Sequence, residues 1–167
     1  MIVAKVLFAA LMLVCMVTDL TSYRIRNSVV VALVVLFFIL AVRDYKQVNW
    51  VMQLGAGAFC LVVGYLMFLQ GNIGAGDVKL FSAAALWAGF PALLPLLLYV
   101  SLSGLVVMLL LLAARRLLAH REGLWQRVSG RGEIPKVLLP GAGIPYGVGI
   151  AAGALIAMPL FPAWHWL

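Results

Sequence analysis

The chain has 167 residues, of which 66% are hydrophobic and only 10% are charged, and its mean hydropathy is +1.15. Soluble domains are about half apolar and about a quarter charged, so this composition belongs in a bilayer. The formal net charge is +7, but the basic residues lie between apolar stretches and no nucleic-acid recognition module accompanies them, which argues against nucleic acid as a partner.

Six apolar stretches predict an all-α membrane protein, a bundle of six transmembrane helices in a single integral-membrane domain covering residues 1–167. They lie at about 2–18, 28–42, 50–69, 78–90, 92–113 and 143–162. The first stretch resembles a secretory signal, but no cleavage site follows it, so we interpret it as a retained span. The apolar stretch 78–113 is too long for one span, and we place its break at Pro91, which cannot donate a backbone hydrogen bond.

The connection at 114–139 is strongly basic, and we expect it to be a cytoplasmic loop. Its leucines recur near helical spacing, which predicts a basic amphipathic helix on the inner leaflet, with a solvated loop as the alternative. This orientation places nine of the twelve Lys and Arg residues inside. Both termini would then face outward, with Trp164 and Trp166 in an outer aromatic belt.

Only five residues are acidic, and two of them, Asp19 and Asp77, lie where an apolar helix ends or begins. The topology puts both at the cytoplasmic boundary. Asp77 could be a simple helix cap, and Asp19 could pair with a nearby arginine, although an anion at a helix C-terminus opposes the dipole. Two carboxylates in a poorly solvated recess can share a proton, so that one activates a water while the other donates to a carbonyl oxygen.

The remaining residues with metal-binding or packing potential have simpler interpretations. Cys15 and Cys60 lie inside apolar stretches and the two histidines are far apart in the chain, so we expect no metal site and no cofactor. Glycines four residues apart, at Gly143/Gly147 and Gly149/Gly153, favour close packing between helices.

Two motifs resemble one known family. The stretch G74-A75-G76-D77-V78-K79-L80 resembles the signature of the G-x-G-D aspartyl intramembrane peptidases, in the branch of the prepilin peptidases. The stretch D19-L-T-S-Y-R24-I25-R26-N27 resembles the first half of that signature, with Arg26 where the family has Pro, and residues 145–155 resemble its late region. The resemblance implies that Asp19 and Asp77 are the catalytic pair. The residues expected to shape the site or bind substrate are Gly74, Gly76, Lys79, Arg24 and Asn27.

The resemblance implies a membrane aspartyl endopeptidase that removes the basic leader from prepilins and pseudopilins. Its site would face the cytoplasm at the bacterial inner membrane, in association with the pilus assembly machinery. The chain lacks the additional segment, often with paired C-x-x-C, of the larger methylating members. It therefore resembles the short Tad/Cpa type of tight-adherence (Flp) pili, and we expect cleavage without N-methylation. Two other hypotheses stay open: a proton- or ion-coupled transporter with a carboxylate relay, and a non-catalytic assembly subunit of a secretion apparatus.

Overall fold

The computed structural model describes residues 2–120, 136–138 and 143–164, and the regular elements within these ranges are all helical. The α-helices are α1 (Ile2–Ser22), α2 (Asn27–Arg43), α3 (Trp50–Leu69), α4 (Ala75–His120) and α5 (Tyr146–Ala157). Three short 3-10 turns are also described: Lys136–Leu138 before α5, and Met158–Leu160 and Pro162–Trp164 after it. The predicted all-α class is confirmed.

The predicted basic loop at 114–139 begins later than expected, because residues 114–120 continue α4. Residues 121–135 and 139–142 lie outside the described residues, and so does most of the predicted amphipathic helix. By length and composition, three helical stretches of the described chain can cross a membrane: Ile2–Ser22, Trp50–Leu69 and Ala75–Leu117. The helix α2 and the stretch Tyr146–Leu160 are apolar but shorter.

Helix α4 changes direction at Gly89, whose φ of 59° and ψ of 176° are not helical. A straight helix would separate Asp77 from Gly104 by roughly 40 Å, yet both residues line the same cavity. The segments on either side of Gly89 therefore lie side by side. They correspond to the predicted spans 78–90 and 92–113, although five α-helices are counted in the described ranges and the six-helix bundle is not confirmed.

The break in α4 lies at Gly89 and not at Pro91, where the sequence analysis placed it. A positive φ is readily adopted by glycine, which has no Cβ to clash with the backbone. Pro91 follows in the first turn of the second segment, where the missing N–H would have no helical partner.

Gly71 ends α3 and sets the direction in which the chain enters α4. Its φ is +77°, its N–H donates to the Phe68 carbonyl at 2.9 Å, and the Asn72 N–H donates to the Met67 carbonyl at 3.1 Å. These two bonds and the left-handed glycine form a Schellman motif. Helix α3 stops abruptly there, and Asp77 follows in the first turn of α4.

An aromatic core surrounds Trp87, about 15 Å along α4 from Asp77 at the ordinary helical rise. The Trp87 ring lies 5.1 Å from that of Phe8 and 5.6 Å from that of Phe37. Its indole N–H donates to the Leu33 carbonyl at 3.2 Å. These contacts join α1, α2 and α4 at the end of the bundle away from Asp77.

Trp164 belongs to this core, so its predicted place in an aromatic belt is wrong. Only 4% of Trp164 is exposed, and its ring lies 5.1 Å from that of Trp87. The 3-10 turns after α5 fold it inward, and the ammonium of Lys5 lies 5.7 Å from the ring centroid. Trp166 lies outside the described residues.

Close packing brings α5 against the second segment of α4. A Cβ at Gly149 would lie 2.8 Å from the Cα of Gly104, and a Cβ at Gly153 would overlap the backbone of Val100. The expected close packing is therefore observed for this glycine pair. Because α5 begins near Gly104 and runs back past Val100, its N-terminus lies at the Asp77 end of the bundle.

Candidate active site

Asp19 lies in the last turn of α1 and is 5% exposed. Its Oδ2 accepts a hydrogen bond from the Val148 backbone N–H at 3.2 Å. Val148 is in the first turn of α5, where unpaired N–H groups and the helix dipole favour an anion. The carboxylate at the C-terminus of α1 is thus held by the N-terminus of another helix. No ion pair joins it to Arg24 or Arg26 among the described residues.

Gly147 allows α5 to approach Asp19. A Cβ at this position would lie 2.8 Å from Asp19 Oδ2 and 2.8 Å from Ile25 Cδ1. The sequence analysis interpreted Gly143 and Gly147 as a helix-packing pair. Gly147 instead leaves room for a carboxylate, while Gly143 lies before α5 and its carbonyl accepts hydrogen bonds.

Asp77 lies in the first turn of α4 and is half-buried. Its carboxylate fits against Gly74, where a Cβ would lie 2.9 Å from Asp77 Oδ2. The Gly74 carbonyl accepts the Val78 N–H at 3.2 Å, which starts the helix. Gly74 therefore begins α4 and also leaves space for the carboxylate that follows.

Ile25 connects the two aspartate regions. A Cβ at Gly76, next to Asp77, would lie 3.3 Å from Ile25 Cβ, and the other end of the same side chain faces Gly147 beside Asp19. The structure thus brings Asp19 and Asp77, 58 positions apart in the chain, to one end of the bundle.

Lys79 and Asn27, both predicted site residues, meet at the exposed rim of this region. The Lys79 ammonium donates to Asn27 Oδ1 at 3.2 Å. Arg24 is also exposed, in the connection between α1 and α2. This contact links the start of α2 to the start of α4, and so joins the two sequence motifs.

A second set of contacts fixes the chain that leads into α5. The Arg115 guanidinium donates to the Val137 carbonyl from Nε at 3.1 Å and from Nη2 at 2.8 Å. Its Nη2 also donates to the Gly143 carbonyl at 2.9 Å, which accepts the Tyr23 hydroxyl at 3.2 Å as well. Gly143, which accepts two of these bonds, lies two residues before Pro145, after which α5 begins.

Asp19 is buried, and Asp77 lines a cavity. Two carboxyl groups in such poorly solvated surroundings are chemically capable of sharing a proton. The described residues contain no group of three or more His, Cys, Asp or Glu that could hold a metal ion. Cys15 and Cys60 are both buried as free thiols.

A comparison with protein families gives a match over residues 6–109, to the model of the type IV leader peptidase family. The chain belongs to this family. Membership confirms the resemblance at the level of the family and implies a peptidase. The matched range includes Asp19 and Asp77 and ends within α4. A comparison with curated proteins and one with solved structures find no match.

Five residues that contribute to this candidate site were missed as such by the sequence analysis: Tyr23, Ile25, Arg115, Gly147 and Val148. Arg115 was assigned to a basic loop, and Gly147 to helix packing. Their contacts with Asp19, with Gly143 or, for Ile25, with Gly76 and Gly147 join residues that are tens of positions apart. Neither charge nor spacing reveals such pairs. The late stretch 145–155 was the available signal, since it resembled the family.

Proposed function

We propose that this chain is an aspartic endopeptidase that removes the leader peptide from type IV prepilins and pseudopilins, with Asp19 and Asp77 as its catalytic pair. The observation that carries the proposal is that Ile25 packs against Gly76, next to Asp77, and against Gly147, which adjoins the Asp19 carboxylate. Family membership supports the substrate class. The apolar helices support a membrane location.

In the proposed mechanism the two carboxylates share one proton, because like charges held close together do not both ionise easily. The ionised carboxylate removes a proton from a water, and that water attacks the carbonyl carbon of the peptide bond. The protonated carboxyl donates to the carbonyl oxygen, and a proton then passes to the leaving amine as the C–N bond breaks. Val148 orients Asp19 throughout by its N–H bond.

The proposal also assigns roles to the predicted site residues at the mouth of the site. Lys79 and Asn27, joined at 3.2 Å, would hold the two motifs in register at the mouth of the site, with Arg24 beside them. Gly74 and Gly76 would shape the start of α4.

The active site would face the cytoplasm at the inner membrane. On the resemblance to the short tight-adherence type, the enzyme would cleave without methylating the new N-terminus.

The test is to express the chain with an epitope-tagged prepilin in cells that lack their own leader peptidase, and to follow the mobility shift on a gel. Asp19→Asn and Asp77→Asn should each lower processing by at least about a hundredfold, the scale of a lost general acid or base. Asp44→Asn is the matched control, because Asp44 lies in the connection after α2, at the other end of that helix. Full processing by either site variant would rule out the catalytic pair.

A further inference from the structure

The exposed charges on the α2 side of the bundle lie at the level of the aspartates along the bundle axis. Lys79 comes two positions after Asp77 in α4, and its ammonium donates to Asn27 at the start of α2 at 3.2 Å. Arg26 directly precedes α2, and Lys79 and Arg26 are both exposed. Charged side chains are costly inside the hydrocarbon core of a bilayer. On this side of the bundle the core must therefore end near the level of Asp77.

The second segment of α4 stays apolar much farther in the same direction. Gly104 packs against Gly149 in the first turn of α5. This turn holds the Asp19 carboxylate, so Gly104 lies at the level of the aspartates. From there α4 continues for about 16 Å before it reaches Arg115, and no charged residue interrupts that stretch. Its apolar side chains are largely exposed, as at Leu110, which is 65% exposed.

A flat bilayer of ordinary thickness does not fit both sides of the bundle. A core that ends near Arg115 would submerge the charges at the start of α2, and a core that ends at those charges would leave Leu110 in water. Lysine side chains can extend toward an interface, but the Lys79 ammonium is turned toward Asn27 and stays at this level. Helix α2 is also short for a span: its 17 residues extend about 26 Å, against a core of about 30 Å.

We propose that this protein thins the bilayer locally, so that the lipid surface at the aspartate end dips to the level of Asp77 beside α2 and keeps its full depth beside the second segment of α4. Bilayers accommodate a short apolar surface by local thinning. The thinning itself is independent of any reaction. Its consequence rests on the proposed function, because the dip would bring interfacial water and the polar leader of a substrate to the carboxylates without crossing hydrocarbon.

The order of depth of two labels tests the thinning without a measurement of cleavage. A fluorophore is attached to Ser28→Cys or Leu110→Cys, both exposed positions, in vesicles whose lipids carry a nitroxide quencher at a shallow or a deep acyl position. In the fold Leu110 lies about 9 Å beyond the level of the aspartates, so a flat bilayer would make Ser28 the deeper residue. We expect the reverse order, with Ser28 quenched from the shallow position and Leu110 from the deep one. A Ser28 label deeper than the Leu110 label would overturn the proposal.

Two further labels on α2 separate thinning from a tilt or a shift of the whole bundle. Val42→Cys, at the other end of α2 and 65% exposed, should be quenched from the shallow position of the opposite leaflet. A deeply quenched Val42 label would show that α2 had moved as a unit, and would overturn the proposal. Val35→Cys, exposed in the middle of α2, is the matched control and should be deep in every case. The wild-type chain measures labelling of the buried Cys15 and Cys60.

The consequence for cleavage has its own measurement, in vesicles of monounsaturated phosphatidylcholine with different chain lengths. Chains of 22 carbons should lower prepilin processing severalfold relative to chains of 16 carbons, because a thicker bilayer must be thinned further. Equal processing in both bilayers would overturn the role of the dip in substrate access. A complete lack of cleavage in every bilayer, with the Ser28 label still shallow, would instead count against the proposed function alone.

Discussion

At the scale of single residues, Gly71, Gly74 and Gly76 lie within six positions and have three different physical tasks. Gly71 adopts the left-handed conformation that ends α3. Gly74 leaves room for the Asp77 carboxylate, and Gly76 leaves room for Ile25. The last two positions are therefore crowded by the chain's own atoms, and a side chain at either one would move Asp77 relative to Asp19.

Arg26 stands where the family has proline, and its backbone has a proline-like conformation. Its φ is −71° and its ψ is 125°, and proline fixes φ near −65°. Arg26 is the residue that caps α2, and its carbonyl accepts the N–H groups of Val29 and Val30. The turn after Asp19 is thus compatible with proline, although the residue is arginine.

Arg26→Pro should therefore keep full processing activity and stabilise the folded chain by about 0.4–1 kcal/mol, because it reduces the freedom of the unfolded chain. The unfolding midpoint in detergent and the prepilin gel assay measure both effects. Tyr23→Pro is the matched control: Tyr23 has φ 51° and donates its N–H to the Asp19 carbonyl at 3.0 Å, so this variant should lose activity. An inactive Arg26→Pro enzyme would show that the arginine side chain itself has a role.

At the scale of elements, α5 holds Asp19, and the chain leading into α5 is held by Arg115 from the far end of α4. Arg115 donates three hydrogen bonds to two carbonyls, and the Gly143 carbonyl is shared with Tyr23. Hydrogen bonds to charged groups contribute about 1.5–3 kcal/mol each when they are made in protein. We therefore expect Arg115 to act as a positioning residue for Asp19 through α5.

Replacing the Arg115 guanidinium should weaken the contact between the first turn of α5 and Asp19. We expect Arg115→Gln to lower kcat by about tenfold or more and to leave KM unchanged, because Arg115 does not line the cavity. Tyr23→Phe, which removes only one of the donors to Gly143, should have a smaller effect in the same direction. Arg116→Gln is the control at an exposed neighbour. A rise in KM with unchanged kcat would instead place Arg115 in substrate binding.

At the scale of the whole molecule, local patterns predicted the helices well because apolar length alone decides a membrane helix. The stretch 50–69 matches α3 at both ends, and 28–42 differs from α2 by one residue at each end. The break at Gly89 was assigned two residues late, since proline was weighed above the glycine before it. The aspartates were singled out because carboxylates are costly near lipid.

The sequence could not show what holds those aspartates, because the contact between Asp19 and Val148 joins residues 129 positions apart. A backbone N–H donates in the same way whatever its side chain, so the residue type at the donor position does not reveal a long-range hydrogen bond of this kind. Trp164 was misplaced for a related reason, since a terminal tryptophan is equally compatible with an interface and with a core. Its partners, Phe8 and Trp87, are known only from the fold.

The fold also sorts the basic residues into two ends of the bundle. The end that carries the aspartates has six of the described ones: Arg24, Arg26, Lys79, Arg115, Arg116 and Lys136. The other end has three: Lys5, Arg43 and Lys46. Loops rich in Lys and Arg stay in the cytoplasm, so this asymmetry favours a cytoplasmic active site.

This orientation can be tested with single cysteines introduced at the two ends of the bundle. Their labelling by a membrane-impermeant maleimide is measured in intact cells. Ser22→Cys, exposed at the aspartate end, should react only after the membrane is opened, whereas Gln47→Cys, exposed at the other end, should react from outside. Cys15 and Cys60 are buried, and the wild-type chain measures any labelling of their own. The opposite labelling pattern would place the carboxylates on the outer face. That orientation would be incompatible with cleaving a substrate whose basic leader is held inside by the same charge rule.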